Sequence, residues 1–152
     1  MKITDILSKE SVVCDLSSDS KKNLLEDLAQ LASKETGVDS RVILEALVER
    51  ERLGTTGVGR GVALPHTRLL GLDKIFCAFV RTNPVDFEAV DGKLVDLVFL
   101  LLVPEESGAD HLKALSRLSK LLRDETVTAA LRKASNVDEV YQIICDNDSC
   151  DN

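Results

Sequence analysis

The sequence predicts an α/β fold whose sheet is covered by helices on both faces. Three features of the 152 residues predict it: two amphipathic helical segments before residue 54, apolar runs of strand length between residues 74 and 103, and a return to helical spacing from Asp110. The element order is β-α-α-β-β-β-α-α-α. With 44% hydrophobic residues and this length, the chain suits one core and one domain.

From the N-terminus, Ser11-Val12-Val13-Cys14 reads as a brief strand. Asp19 or Ser20 can cap a helix over Lys21–Thr36, where Leu24, Leu25, Leu28, Leu31 and Ala32 share a face and Gly37 supplies the stop. Asp39 or Ser40 restarts the pattern with Val42, Ile43, Ala46, Leu47 and Leu53. This second helix finishes in Glu49-Arg50-Glu51-Arg52, charges that also suit a solvated helix face. Glycines then take four of the eight positions in Gly54-Thr55-Thr56-Gly57-Val58-Gly59-Arg60-Gly61, which breaks all periodicity and favours turns. Residues 74–81 and 94–103 read as strands, the second covered on both faces because only Asp96 interrupts its Val, Leu and Phe. Asn83-Pro84 and Asp91-Gly92 are turn signals around a short strand at Val85-Asp86-Phe87. Leu112, Leu115, Leu118, Leu121 and Leu122 form one helical stripe with Asp110 as its expected N-cap, and shorter helices fit 126–133 and 137–145. The expected domain spans residues 3–146, and 147–152 form an expected flexible tail.

Composition narrows the function. Nineteen basic and 26 acidic residues leave a formal net charge of -7, and aromatics make up 3%, which speaks against nucleic acid as a partner. No apolar run approaches the roughly 20 residues of a membrane span, and the N-terminus lacks a signal-peptide pattern, so a cytoplasmic location without membrane insertion is expected. Cys14, Cys77, Cys145 and Cys150 make no C-x-x-C pair and have only two histidines to join them, so they read as reduced thiols.

The glycine segment invites a phosphate-binding reading, since small residues let backbone N–H groups converge on an anion, though it matches neither a P-loop nor a dinucleotide fingerprint. His66 follows it directly, aimed by Pro65, whose ring fixes its own φ and biases Leu64 toward extended backbone. A neutral imidazole is a nucleophile near pH 7 and can carry a phosphoryl group. Donors for the phosphoryl oxygens are the loop amides around Gly57 and Gly59, the hydroxyls of Thr55 and Thr56, and the guanidinium of Arg50 or Arg60. His111, the other histidine, falls in the first turn of a helix, where partial positive charge favours a neutral ring. A single histidine beside a turn is otherwise an ordinary surface residue.

The run from Arg50 through Gly54-Thr55-Thr56-Gly57-Val58-Gly59-Arg60-Gly61 to Leu64-Pro65-His66 resembles the active-site signature of the fructose/mannitol-type (type 2) enzyme IIA domains of the bacterial phosphoenolpyruvate-dependent phosphotransferase system. Pro84-Val85-Asp86-Phe87, Asp91-Gly92-Lys93, Leu101-Leu102-Val103-Pro104 and His111-Leu112-Lys113-Ala114-Leu115-Ser116 are similar to family landmarks in the same order, so the resemblance covers residues 3–145. It implies a three-layer α/β/α sandwich with a mixed sheet. It implies that His66 is phosphorylated on the ring nitrogen farther from the backbone, with His111 and Arg50 as its active-site companions. The implied donor is a histidine-containing phosphocarrier protein, and no metal or organic cofactor is implied. A chain made of this domain alone resembles the nitrogen-regulatory branch, although Thr67-Arg68 stands where that branch often has glycine and then a basic residue. The alternatives are a sugar-specific component of a fructose or mannitol permease, and a regulatory module whose affinity for kinases or ion transporters is switched by phosphorylation of His66.

Overall fold

The computed structural model describes residues 2–148. One turn of 3-10 helix, Ile3–Asp5, leads into strand β1, Leu7–Leu16, and then into helices α1, Lys21–Thr36, and α2, Ser40–Arg52. Five strands follow: β2 Gly57–Gly59, β3 Val62–Ala63, β4 His66–Leu69, β5 Phe76–Val85 and β6 Val95–Pro104. Helices α3 Asp110–Arg123, α4 Glu125–Lys133 and α5 Val137–Asn147 complete the described chain.

The caps act largely as their residue types dictate. The Ser20 hydroxyl accepts the Asn23 N–H, the Asp39 carboxylate accepts that of Arg41, and Gly37 closes α1 at φ 81°, a left-handed conformation that favours glycine. Asp110 differs from expectation. Ala109 takes the cap position without a side-chain bond, and Asp110 lies inside the first turn, where its charge still faces the positive end of the helix.

The sheet runs β1-β5-β6-β3-β2, with β4 also on β6, and is mixed: β1 is parallel to β5, β5 antiparallel to β6, and β6 parallel to both β3 and β4. Alternation along β6 divides the core. Leu97, Phe99, Leu101 and Val103 face α3, α4 and α5, whereas Val98, Leu100 and Leu102 face α1 and α2. All seven are fully buried, which explains why this strand reads as an unbroken apolar run.

Three strand expectations are corrected. β1 is ten residues long, not four, because Ser8, Lys9 and Glu10 lie exposed on an edge strand with a register shift before Val12, so polarity hides them from an apolar pattern. Asn83-Pro84 is not a turn but part of β5, where the Asn83 amide replaces a backbone partner by accepting the Ser18 N–H and donating to the Ser18 carbonyl, each at 2.9 Å. Val85 therefore ends β5, and Phe87, expected in a strand of its own, lies in irregular chain with its ring fully buried against α1 and α2. The glycine segment is not all turn either: β2 and β3 pair as a small antiparallel hairpin. At the other end, Asp148 is buried, accepting the Ile3 N–H at 2.5 Å and the Arg117 guanidinium at 2.9 Å; residues 149–152 of the expected tail, Cys150 among them, lie outside the described residues.

Candidate functional site

The position of His66 follows from register. Val62 pairs with Leu97, Ala63 with Val98, and His66 through Leu69 with Leu101 through Pro104, a constant offset across β3 and β4. Residues 62–69 thus form one strand in register, interrupted at Leu64-Pro65, where Pro65 has no N–H to give but still accepts the Leu101 N–H through its carbonyl at 2.9 Å. Strand alternation then puts His66 on the same face as Val62 and Leu64, which pack with α3, α4 and α5.

That face carries His111. The two ring centroids are 6.1 Å apart with the planes tilted by 42°. His66 is half-buried, and its Nδ1 lies 2.8 Å from the Leu64 carbonyl. A carbonyl only accepts, so Nδ1 bears the proton and the neutral ring keeps its lone pair on Nε2. His111 Nδ1 is buried and has no hydrogen-bond partner among the described residues.

Both rings are held toward the neutral form. Burial lowers the His66 pKa most, the Arg50 charge adds to this, and the Leu64 carbonyl and Glu51 oppose it. Burial also lowers the His111 pKa, helped by Arg68 and by His66. Arg50, at the end of α2, donates to the Gly54 carbonyl at 2.9 Å while its charge reaches His66. His66 and His111 thus meet from two elements, and Arg50, on a third, acts on His66 through its charge.

The loop residues take another part. The Thr56 N–H and hydroxyl both go to the Glu51 carboxylate, the first at 3.1 Å. The Gly57 N–H goes to the Thr55 hydroxyl at 3.1 Å, and that hydroxyl donates to the Phe87 carbonyl at 3.3 Å. Gly59 pairs with Val62 beside Asp91. In this conformation the Thr55 hydroxyl, both Thr56 donors and the Gly57 N–H are all engaged inside the fold. Gly57 is required there by packing, since a Cβ would meet the Ala89 Cα at 2.9 Å. Arg60 pairs with Glu125 at 3.4 Å and lines a cleft with Lys93, Asp96 and Arg132.

Two residues at the site escape the sequence reading. Arg68 acts electrostatically on His111 and donates to the Glu105 carbonyl at 3.1 Å and the Ser107 hydroxyl at 3.3 Å, bracing the turn before α3. Glu51, which lies in the signature run without a role of its own assigned there, acts electrostatically on His66 and is nearly buried. Among the described residues, no cluster of His, Cys, Asp and Glu is placed to hold a metal ion, and no helix is long and apolar enough to cross a membrane.

Comparison with known proteins places the chain in a family. A family model described as "Phosphoenolpyruvate-dependent sugar phosphotransferase system, EIIA 2" matches residues 5–147. The chain is 48% identical over 145 residues to the nitrogen regulatory protein of Bradyrhizobium diazoefficiens, covering 95% of each chain. It is 37% identical over 150 residues to that of Escherichia coli, covering 97% of this chain and 92% of the other. The crystal structure of the nitrogen regulatory protein IIA-Ntr from Neisseria meningitidis superposes with a TM-score of 0.89 at 40% identity, covering 93% of this chain and 98% of that one.

Proposed function

Since the chain belongs to the EIIA 2 family of the phosphoenolpyruvate-dependent phosphotransferase system, and to its nitrogen-regulatory branch, we propose that His66 accepts a phosphoryl group from a histidine-containing phosphocarrier protein through Nε2. The single observation that carries this reading is the bond from Nδ1 to the Leu64 carbonyl, which leaves a bare nitrogen on a ring whose centroid is 6.1 Å from that of a second imidazole.

The chemistry balances without a net proton transfer. The Nε2 lone pair attacks phosphorus in line, the P–N bond of the donor's phosphohistidine breaks, and its electron pair returns to the donor imidazole. The proton on His66 Nδ1 stays where it is, held by Leu64. Charge on the equatorial oxygens is met by Arg50 and by a proton on the His111 ring.

We assign residues 3–146 as the functional domain and the cytoplasm as its location. The phosphate on His66 adds about two negative charges to a half-buried surface, enough to change affinity for a regulatory target such as a kinase or an ion transporter. Full-length resemblance to nitrogen regulatory proteins favours this over a sugar-permease role. Incubation with phosphoenolpyruvate, the upstream kinase and the phosphocarrier tests the assignment. The wild type is expected to take up acid-labile phosphate, His66→Ala none, and His111→Ala and Arg50→Met about a hundredfold more slowly. Equal labelling of His66→Ala refutes it.

A further inference from the structure

Glu51 has no part in the transfer just described, yet it is tied into the structure under His66. Its side chain is 8% exposed and both carboxylate oxygens are used. Oε1 accepts the Lys21 ammonium at 3.0 Å and the Thr56 N–H at 3.1 Å; Oε2 accepts the Thr56 hydroxyl. The Thr56 carbonyl in turn accepts the Leu64 N–H at 2.9 Å, and the Leu64 carbonyl accepts the His66 Nδ1–H at 2.8 Å. A continuous path of hydrogen bonds therefore runs from the start of α1, through the last turn of α2 and the glycine segment, to the imidazole.

The links at Lys21 and Thr56 are made by a nearly buried carboxylate. Removing one partner leaves a polar group unpaired away from water, so the arrangement resists partial rearrangement. Lys21 is itself fixed, with its ammonium 4.6 Å from the centre of the buried Phe87 ring. Thr56, 3% exposed, has both its N–H and its hydroxyl on one carboxylate, which leaves its peptide little freedom.

From this path we infer that Glu51 is a positioning residue for His66: by clamping Thr56 it fixes the Leu64 peptide, whose carbonyl selects the Nδ1–H tautomer and keeps Nε2 open. The kinetic consequence rests on His66 being the phosphoryl acceptor, whereas the tautomer does not. Because Glu51 lies beneath the surface, its loss acts on turnover and not on docking of the phosphocarrier.

The full chain labelled with ¹⁵N-histidine reads both. Long-range ¹H–¹⁵N spectra give the His66 tautomer, and phosphoryl uptake at varied phosphocarrier gives KM and kcat. Wild type and Thr56→Ser are expected to show a single Nδ1–H tautomer. Glu51→Gln and Thr56→Val are expected to show mixed tautomers, with kcat reduced about tenfold and KM unchanged. A folded Glu51→Gln protein with the wild-type tautomer and kcat overturns the inference. Should that variant not fold, Thr56→Val carries the test, and an unaltered tautomer there overturns it equally. A wild type that takes up no phosphate defeats the acceptor assignment instead, and the tautomer comparison alone then decides the role of Glu51.

Discussion

An imidazole that attacks phosphorus must be unprotonated when the donor arrives, and burial is the main means by which this protein keeps both rings so. The same environment makes the fold sensitive to acid. In the unfolded chain both histidines titrate at the ordinary value of 6.5, whereas in the native state they hold out against protonation to lower pH. Between those values the unfolded chain binds more protons, so stability rises with pH across the interval and is lost as pH falls below 6.5. The urea midpoint of the wild type is therefore expected to drop from about pH 7.5 to about pH 5.5, above the range in which most carboxylates titrate. A His66→Gln/His111→Gln double variant is expected to lose much of that dependence. Parallel profiles for the two proteins contradict a lowered pKa at both rings. At this scale the sequence offered His66, His111 and Arg50 as candidates, the last two through resemblance to a known signature, and the fold places the two rings 6.1 Å apart. The sequence did not reveal Glu51 or Arg68, because a charged residue at a helix end or after a histidine is indistinguishable from a solvated one until its partners are known.

Helices are the elements that the sequence defined well. α1 matches its expected bounds, and α4 and α5 differ from theirs by one or two residues, because capping residues and 3.6-residue periodicity are local signals. Strands depend on partners remote in sequence. The polar start of β1 and the Asn83-Pro84 segment of β5 become strand through pairing and through the Asn83 amide, neither of which periodicity records. The C-terminal end of α4 shows another such contact. Arg81, on β5, donates to the Leu131 and Ala134 carbonyls at 2.8 Å each and to the Cys14 carbonyl at 3.1 Å, tying the helix end and β1 to the middle of the sheet. The last carbonyls of a helix have no partners within it, and the guanidinium charge suits a helix C-terminus. Arg81→Met is expected to lower unfolding stability by about 1–3 kcal/mol, with faster amide exchange in α4 than in α1. A denaturant midpoint within error of the wild type means that the guanidinium does not hold these elements together.

The whole molecule brings three distant stretches of chain to one place. β6, fully buried from Val95 to Val103 except at half-buried Asp96, gives the sheet a rigid centre, and residues 62–69 lie along it in constant register. That register delivers His66 to the face covered by α3, while α2 brings Arg50 and Glu51 to the same strand. The sequence showed the α/β class and the helices on both faces, but not that the Thr56 and Gly57 amides would be engaged within the fold, since hydrogen-bond partners are set only when the hairpin closes. The central claim is that this architecture leaves one nitrogen, Nε2 of His66, to receive phosphorus. It is tested most directly by the ¹⁵N spectrum of histidine-labelled protein after transfer from the phosphocarrier. A one-bond ¹⁵N–³¹P coupling at His66 Nε2, with the proton retained on Nδ1, is the expected result, and phosphorus found on Nδ1, on His111 or on a carboxylate contradicts it.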